Sequence, residues 1–484
     1  MDLTDYRAEA ETFLTAVDGE YYRHYSGQQE DFDVEPIYKR HEALFSRAAV
    51  DALRGGEDGS RELLEFAVHG LIGRATTAET AELARREASL ELEANGERMP
   101  FRQARIAQAN ERDPDRRAAI EAASLHITGR ELQPLLLALH ERTGALVGDL
   151  GWPSVLALVE DLSGIDLGAL GTQTDAFLTG TDGTYEAVVE PELSAQLGIG
   201  FADLRRSDLP AFFRAPGLDE LFPVAERDRV FGETIAGLGL DASAGQNVRV
   251  DAEARPKKSP RAFCAPVRVP DEVYLVIAPT GGRDDYEALL HEAGHAYHYG
   301  HVDRALAFEQ RYLGDNSVTE GFAFLFQGLS SDPEWLRRRL GVEDPSRVTA
   351  YARASKLIFL RRYCAKLAYE LELHAEGADL ARMPGEYAQR LSGAVRVDWP
   401  AVTWLADVDA FFYAARYLRA WAFETHLRAL LAERFGPAWF EQRAAGDELK
   451  SLMREGQRRP AHELLAELRG EELDFSALLA DVAG

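Results

Sequence analysis

Asp285-Tyr-Glu-Ala-Leu-Leu-His291-Glu292-Ala-Gly-His295-Ala-Tyr-His298 is the most informative stretch of this chain. It holds the pattern H-E-x-x-H inside a segment whose apolar spacing predicts a helix. Histidines at i and i+4 share one helical face, about a turn apart, where two ring nitrogens can reach a single zinc ion. Glu292 follows the first histidine directly, so its carboxylate projects beside such an ion and not into it. There it can take a proton from a water whose pKa the metal has lowered. His298 shares the face of His291 at i+7, but one helix does not easily bring three ligands so spaced onto one ion. A packing or supporting role is expected for His298, and an exposed position for His301.

A catalytic zinc site needs a third protein ligand and an open fourth position. Asn316-Ser-Val-Thr-Glu320-Gly-Phe-Ala-Phe-Leu-Phe-Gln327 supplies a carboxylate at the head of an otherwise apolar helix, 25 residues beyond His295. An isolated Glu there is costly unless paired or metal-bound. A Glu near a helix N-terminus is also favoured by the helix dipole, and spacing alone leaves both explanations open. Beside the motif, ligation is the stronger reading.

Outward from these segments the chain reads as mainly α. Residues 3–24, 38–55, 60–75, 77–90, 104–123 and 129–150 carry helical periodicity, with shorter helices around 184–196, 201–206 and 218–237. One interruption is a hairpin near 88–101, where alternating residues flank the turn pair Asn95-Gly96. Residues 247–251, 262–269 and 272–278 read as strands of one small antiparallel sheet just before the motif. Helix then dominates, with long patterns over 348–374 and 407–434. The expected organisation is an N-terminal helical lobe, 1–245, and a catalytic lobe, 246–484, forming one continuous body.

The 484 residues carry 54 Lys+Arg against 81 Asp+Glu, a formal net charge of −27. Gripping nucleic acid requires net cationic surface, so neither DNA nor RNA is an expected partner; anionic membranes are disfavoured likewise. The start, MDLTDYRAEAETFL, has no basic and apolar leader pattern, and no run approaches the length of a membrane helix. Cys264 and Cys364 read as two thiols rather than a disulfide scaffold. A cytoplasmic location is expected; the oligomeric state is not legible. There is no phosphate loop at Gly281-Gly282 and no G-x-S-x-G nucleophile elbow.

His291-Glu292-Ala-Gly294-His295-Ala-Tyr-His298, Glu320 at its spacing, and Arg261-Ala-Phe-Cys264 followed by Tyr274-Leu-Val-Ile together resemble the thimet oligopeptidase and oligoendopeptidase F family of zinc metallopeptidases. The angiotensin-converting type of dipeptidyl carboxypeptidase is a more distant likeness. The resemblance covers roughly 246–484. It implies an elongated two-lobed helical body with a deep channel, one zinc ion per chain at its floor, and short peptides as substrates. It also implies that a sheet edge, here Ala265, Pro266, Val267, Arg268 and Val269, pairs with the peptide backbone.

The same resemblance places an oxyanion-stabilising tyrosine on the helix containing Tyr413-Ala-Ala-Arg416-Tyr417, matching best at Tyr417. Tyr413 lies one turn before it. Spacing alone would make both tyrosines packing residues. Asp407 stands where those families carry a histidine, and an ionised Asp cannot donate to an oxyanion. Arg416 and Arg419 could read a substrate carboxylate, although ion-pair roles are more ordinary.

The expected function is therefore a zinc-dependent oligopeptidase with His291, His295 and Glu320 as ligands and Glu292 as general base. The alternatives are a metallocarboxypeptidase on the same scaffold and a catalytically weak zinc- and peptide-binding homologue.

Overall fold

The computed structural model describes residues 2–54, 60–240 and 247–483, with no account of the side chains at 60 and 483. The seam expected at 245/246 falls outside the described residues. The architecture is mainly α with two small sheets, as the periodicity predicts. No helix among the described residues is long and apolar enough to cross a membrane.

The chain folds as two compact units, each built from segments distant in sequence. One comprises Met1–Gly70, Leu218–Thr349 and Arg419–Leu478; the other comprises Leu71–Gly217, Ala350–Leu418 and Leu479–Gly484.

In the second unit the expected hairpin is present. Strands β1 (Glu91–Ala94) and β2 (Glu97–Pro100) pair antiparallel, with Ala94 opposite Glu97. Asn95 and Gly96 both take positive φ, 56° and 78°, as a two-residue hairpin turn requires. Leu92 and Ala94 point inward onto Ala104 and Ile120. The core of this unit also buries Arg361, whose guanidinium donates to the carbonyls of Ala394 and Leu178, to Thr181 Oγ1 and to Asp182. A buried charge of this kind is tolerable only when its donors are satisfied.

The first unit holds the second sheet, with β3 (Val248–Asp251), β4 (Phe263–Arg268) and β5 (Glu272–Val276) in the order β3-β5-β4. The expectation of an all-antiparallel sheet is corrected here. β4 and β5 are antiparallel neighbours joined by a short turn, but β3 runs parallel to β5. Alternation tells which side chains share a face and carries no information on strand direction. The reversal rests on the connection 252–262, which Asp251 pins by accepting from Lys258 and Arg255. β4 is left as an edge strand, and the first helix, Leu3–Tyr25, packs on it. A Cβ on Gly19 would lie 3.7 Å from the Val267 side chain, and Tyr21 meets Phe263 edge-on at 5.3 Å.

The long pattern from residue 407 also needs correction. The helix is Tyr413–Phe435, and residues 407–412 precede it as a bend and a short 3₁₀ turn. Phe411 and Phe412 have φ of 50° and 56°, a left-handed geometry that no helix continues through. Polar anchors hold this turn in place. The Asp409 N–H donates to Glu370, the Asp409 carboxylate pairs with Lys366, and Asp407 pairs with Arg362.

Candidate metal centre

The motif lies on helix Arg283–His301 and the third candidate ligand on helix Asn316–Leu329. The first helix begins at Gly282, and the Asp285 carboxylate accepts the N–H groups of Thr280 and Gly281 just before it. That contact satisfies donors at the helix entry and suits the positive end of the dipole. The second helix is capped by Asp315, whose side chain accepts from the Ser317 N–H. Asp315 is itself held by Arg419 at 3.0 Å and by the Ala461 N–H. Arg419 therefore serves as a structural ion pair.

The two helices touch at Gly294. A Cβ there would stand 2.4 Å from Ala323 Cα and 2.4 Å from the Phe322 carbonyl oxygen, so only glycine permits this approach. The contact brings Glu320 under both histidines. Its Oε2 lies 3.8 Å from His291 Nε2 and 3.6 Å from His295 Nε2. These separations are too long for hydrogen bonds. They are close to the edge of a tetrahedron with bonds of about 2.1 Å, which is about 3.4 Å.

The other ring nitrogens are engaged. His291 Nδ1 donates to Gln327 Oε1 at 2.9 Å, and His295 Nδ1 lies 2.9 Å from Thr319 Oγ1. A proton on Nδ1 leaves the Nε2 lone pair facing inward, the tautomer a metal requires. Burial pushes the pKa of each imidazole down to about 4, so both are neutral at pH 7. Two neutral imidazoles and one carboxylate, with their ligand atoms all within 4.8 Å of one another, form a donor set that fits zinc.

Glu292 sits beside this triad. Burial pushes its carboxyl up to about 7, against the pull of a backbone hydrogen bond from Cys264 and the charge of Arg261. Cys264 lies opposite Leu275 on β4, the edge strand of the sheet. The free edge of β4 therefore presents Cys264 to Glu292. Burial raises the Cys264 thiol well above its ordinary range, so it stays protonated.

Two solved structures share this architecture. PZ peptidase A, solved with an inhibitor, aligns with a TM-score of 0.69 over 98% of this chain and 90% of its own, at 16% identity. A Bacillus anthracis str. Ames protein assigned as an oligoendopeptidase F aligns with a TM-score of 0.62 over 98% and 83%, at 15% identity. This chain has a peptidase fold. No protein-family model and no curated protein matches the sequence.

Within this peptidase fold the remaining candidates are distributed as follows. His298 is fully buried, with Nε2 against the Gly456 carbonyl at 3.2 Å, which is the packing role expected. His301 is buried too, with Nδ1 on the Tyr297 carbonyl. That corrects the expectation of exposure, because residues 450–456 are packed beside the end of its helix. Ala265 and Val267 point into the core, Pro266 is half-buried and Arg268 is exposed. At Val269 both backbone groups are already taken: its N–H donates to Tyr312 Oη and its carbonyl accepts from Arg311.

Asp407, Arg416, Tyr413 and Tyr417 belong to the second unit. Tyr413 and Tyr417 are half-buried, with rings 4.8 Å apart at 76°, and Tyr363 lies 5.8 Å from Tyr417. Arg416 is buried. Burial raises the Asp407 carboxyl, but Arg362, Lys366 and the Tyr387 hydroxyl outweigh it and hold the group below its usual range. Asp407 is thus an ionised acceptor.

Sequence reasoning passed over Thr319, Gln327 and Gly294. Gln327 falls at i+7 from Glu320, on the same helical face, and that spacing was the available signal. Nothing in the linear pattern marked Gly294 as the point of helix contact.

Proposed function

We propose that this protein is a zinc-dependent oligopeptidase that hydrolyses short, unstructured peptides. The observation that carries the reading is the convergence of His291 Nε2, His295 Nε2 and Glu320 Oε2 with Glu292 alongside. The peptidase fold of the two solved structures supports it.

Zinc held by His291, His295 and Glu320 would supply Lewis acidity, lowering the pKa of a water and polarising the scissile carbonyl. Glu292 takes the proton from the attacking water and passes it to the leaving amine. A carboxyl with a pKa near 7 suits both halves of that transfer. Gln327 and Thr319 fix the tautomer and the orientation of the two imidazoles. The free edge of β4 from Ala265 to Arg268 pairs with the substrate backbone, and Val269 drops out because its polar groups are engaged. Tyr417, with Tyr413 one turn before it, donates to the developing oxyanion. The ionised Asp407 contributes no hydrogen bond there.

The test is metal analysis of the purified protein together with cleavage of a short peptide library. Stoichiometric zinc and chelator-sensitive cleavage are expected. An oligopeptidase cuts a peptide whose C-terminus is blocked as an amide, and a carboxypeptidase does not. Absence of zinc-dependent turnover on every peptide would sink the enzyme reading.

A further inference from the structure

Arg362, Lys366, Glu370 and His374 recur at intervals of four along the helix Ser346–Leu373 and the residue that follows it. That spacing lays their side chains along one ridge of the helix. The ridge meets the turn 407–412 group by group. Arg362 pairs with Asp407, and Lys366 Nζ lies 2.8 Å from an Asp409 carboxylate oxygen. Glu370 Oε1 accepts the Asp409 N–H at 2.9 Å, and the His374 ring meets the Phe412 ring at 5.1 Å and 60°. Lys366 and Glu370 are buried, a costly placement for such groups unless they are partnered.

The turn held in this way is one that the backbone disfavours. Phe411 and Phe412 both take left-handed φ, 50° and 56°, where bulky residues are outliers. Such geometry persists only where the surroundings over-determine it, and it gathers at sites that need a group set in place beforehand. The next residue is Tyr413, the first of the helix Tyr413–Phe435, and Tyr417 follows one turn later. The turn therefore sets where that helix begins and which way its first turn faces.

A second route links the same ridge to Tyr417. Tyr363 follows Arg362 on the helix, and its ring meets the Tyr417 ring edge-on at 5.8 Å and 80°. Lys366 Nζ and Arg362 Cζ each lie 5.4 Å from the centre of the Tyr363 ring, within reach of a cation–π attraction. We propose that Lys366 is a positioning residue that holds Tyr417 in place, through Asp409 and the turn on one side and through the Tyr363 ring on the other. All of these residues belong to the second unit. The proposal rests on the reading of Tyr417 as the oxyanion donor and adds the residue that sets its geometry. A donor stabilises an oxyanion fully only when it is aimed beforehand, and a displacement of about 1 Å can cost about a hundredfold in rate.

The experiment uses Asp409→Asn, which keeps the side-chain shape and the backbone donor, and Lys366→Met, which keeps the stem. Each is made in the wild type and in Tyr417→Phe. In the wild-type background kcat for a short peptide falls about 10- to 100-fold, while KM and zinc content hold. In Tyr417→Phe, itself slower by roughly 10²- to 10³-fold, neither substitution lowers kcat further. Labelling with 3-fluorotyrosine adds a readout independent of activity. The Tyr417 fluorine resonance, identified by its loss in Tyr417→Phe, shifts in both variants.

A Tyr417 resonance that stays in place in folded Asp409→Asn and Lys366→Met would overturn the proposal. So would an equal fall in kcat in both backgrounds, the outcome of a merely structural role. Failure of the oxyanion reading is distinguishable. Tyr417→Phe then keeps its full kcat, or no peptide is cleaved at all, while the fluorine signal still decides whether Lys366 places Tyr417.

Discussion

Gly294 on the motif helix lies so close to Ala323 on the Glu320 helix that a single added methyl would stand 2.4 Å from the Ala323 Cα. The distance between the two histidines and the carboxylate is set at this contact. The convergence of the three candidate ligands is a consequence of helix packing as much as of residue type.

Gly294→Ala should therefore act on the metal as well as on stability. Both facing atoms belong to backbone and cannot rotate away. Overpacking of this kind costs about 1–3 kcal/mol or more, and the helices must separate to relieve it. The expected outcome is a lower melting temperature together with sub-stoichiometric zinc, read by thermal denaturation and metal analysis. Full zinc occupancy in a destabilised variant would uncouple the two.

Replacing Thr319 with Val or Gln327 with Leu removes the partner of one imidazole Nδ1 while keeping a similar volume. Each should weaken zinc affinity by roughly 10- to 100-fold, measured by competition with a chelator. The effect should exceed the change in melting temperature of the zinc-free protein.

Glu292→Gln keeps the shape of the side chain and removes the proton acceptor. Zinc content should stay at the wild-type level while kcat falls by at least about 10²-fold. A quenched-peptide assay with parallel metal analysis checks both halves.

Glu370 supplies a pH prediction away from the metal. Burial pushes its carboxyl up to about 8, against the opposing pull of Lys366. The folded pKa thus lies above the ordinary value of 4.5, so the native state holds a proton that the unfolded chain releases. Its contribution to stability is complete below about pH 4.5 and is lost as pH rises toward about 8. Glu370→Gln should flatten that part of the stability–pH curve, measured by denaturant unfolding at several pH values. An unchanged slope would remove Glu370 as its source.

Much of the candidate site was legible because its residues lie close together in the chain. His291, Glu292 and His295 are placed on one helical turn by geometry that any helix imposes. Glu320 stood out because a carboxylate heading an apolar helix demands a partner. The hairpin at Asn95-Gly96 was legible for a similar reason, since two positive φ angles in sequence leave few residue choices. The same local reasoning misread residues 407–412, where apolar spacing continues but ion pairs to Arg362 and Lys366 hold a left-handed turn. It misread His301 as well, because exposure depends on what another segment covers.

By itself the sequence determined the helical class, the H-E-x-x-H spacing that nominates His291, Glu292 and His295, the candidate partner Glu320 and a charge that disfavours nucleic acid, all of which follow from composition and short-range pattern. Only the tertiary structure decided which helix meets which at Gly294, that β3 runs parallel to β5, and that Gln327 and Thr319 meet the two imidazoles. These relations join residues tens to hundreds of positions apart. Their energies come from packing and desolvation, which exist only once the segments have met.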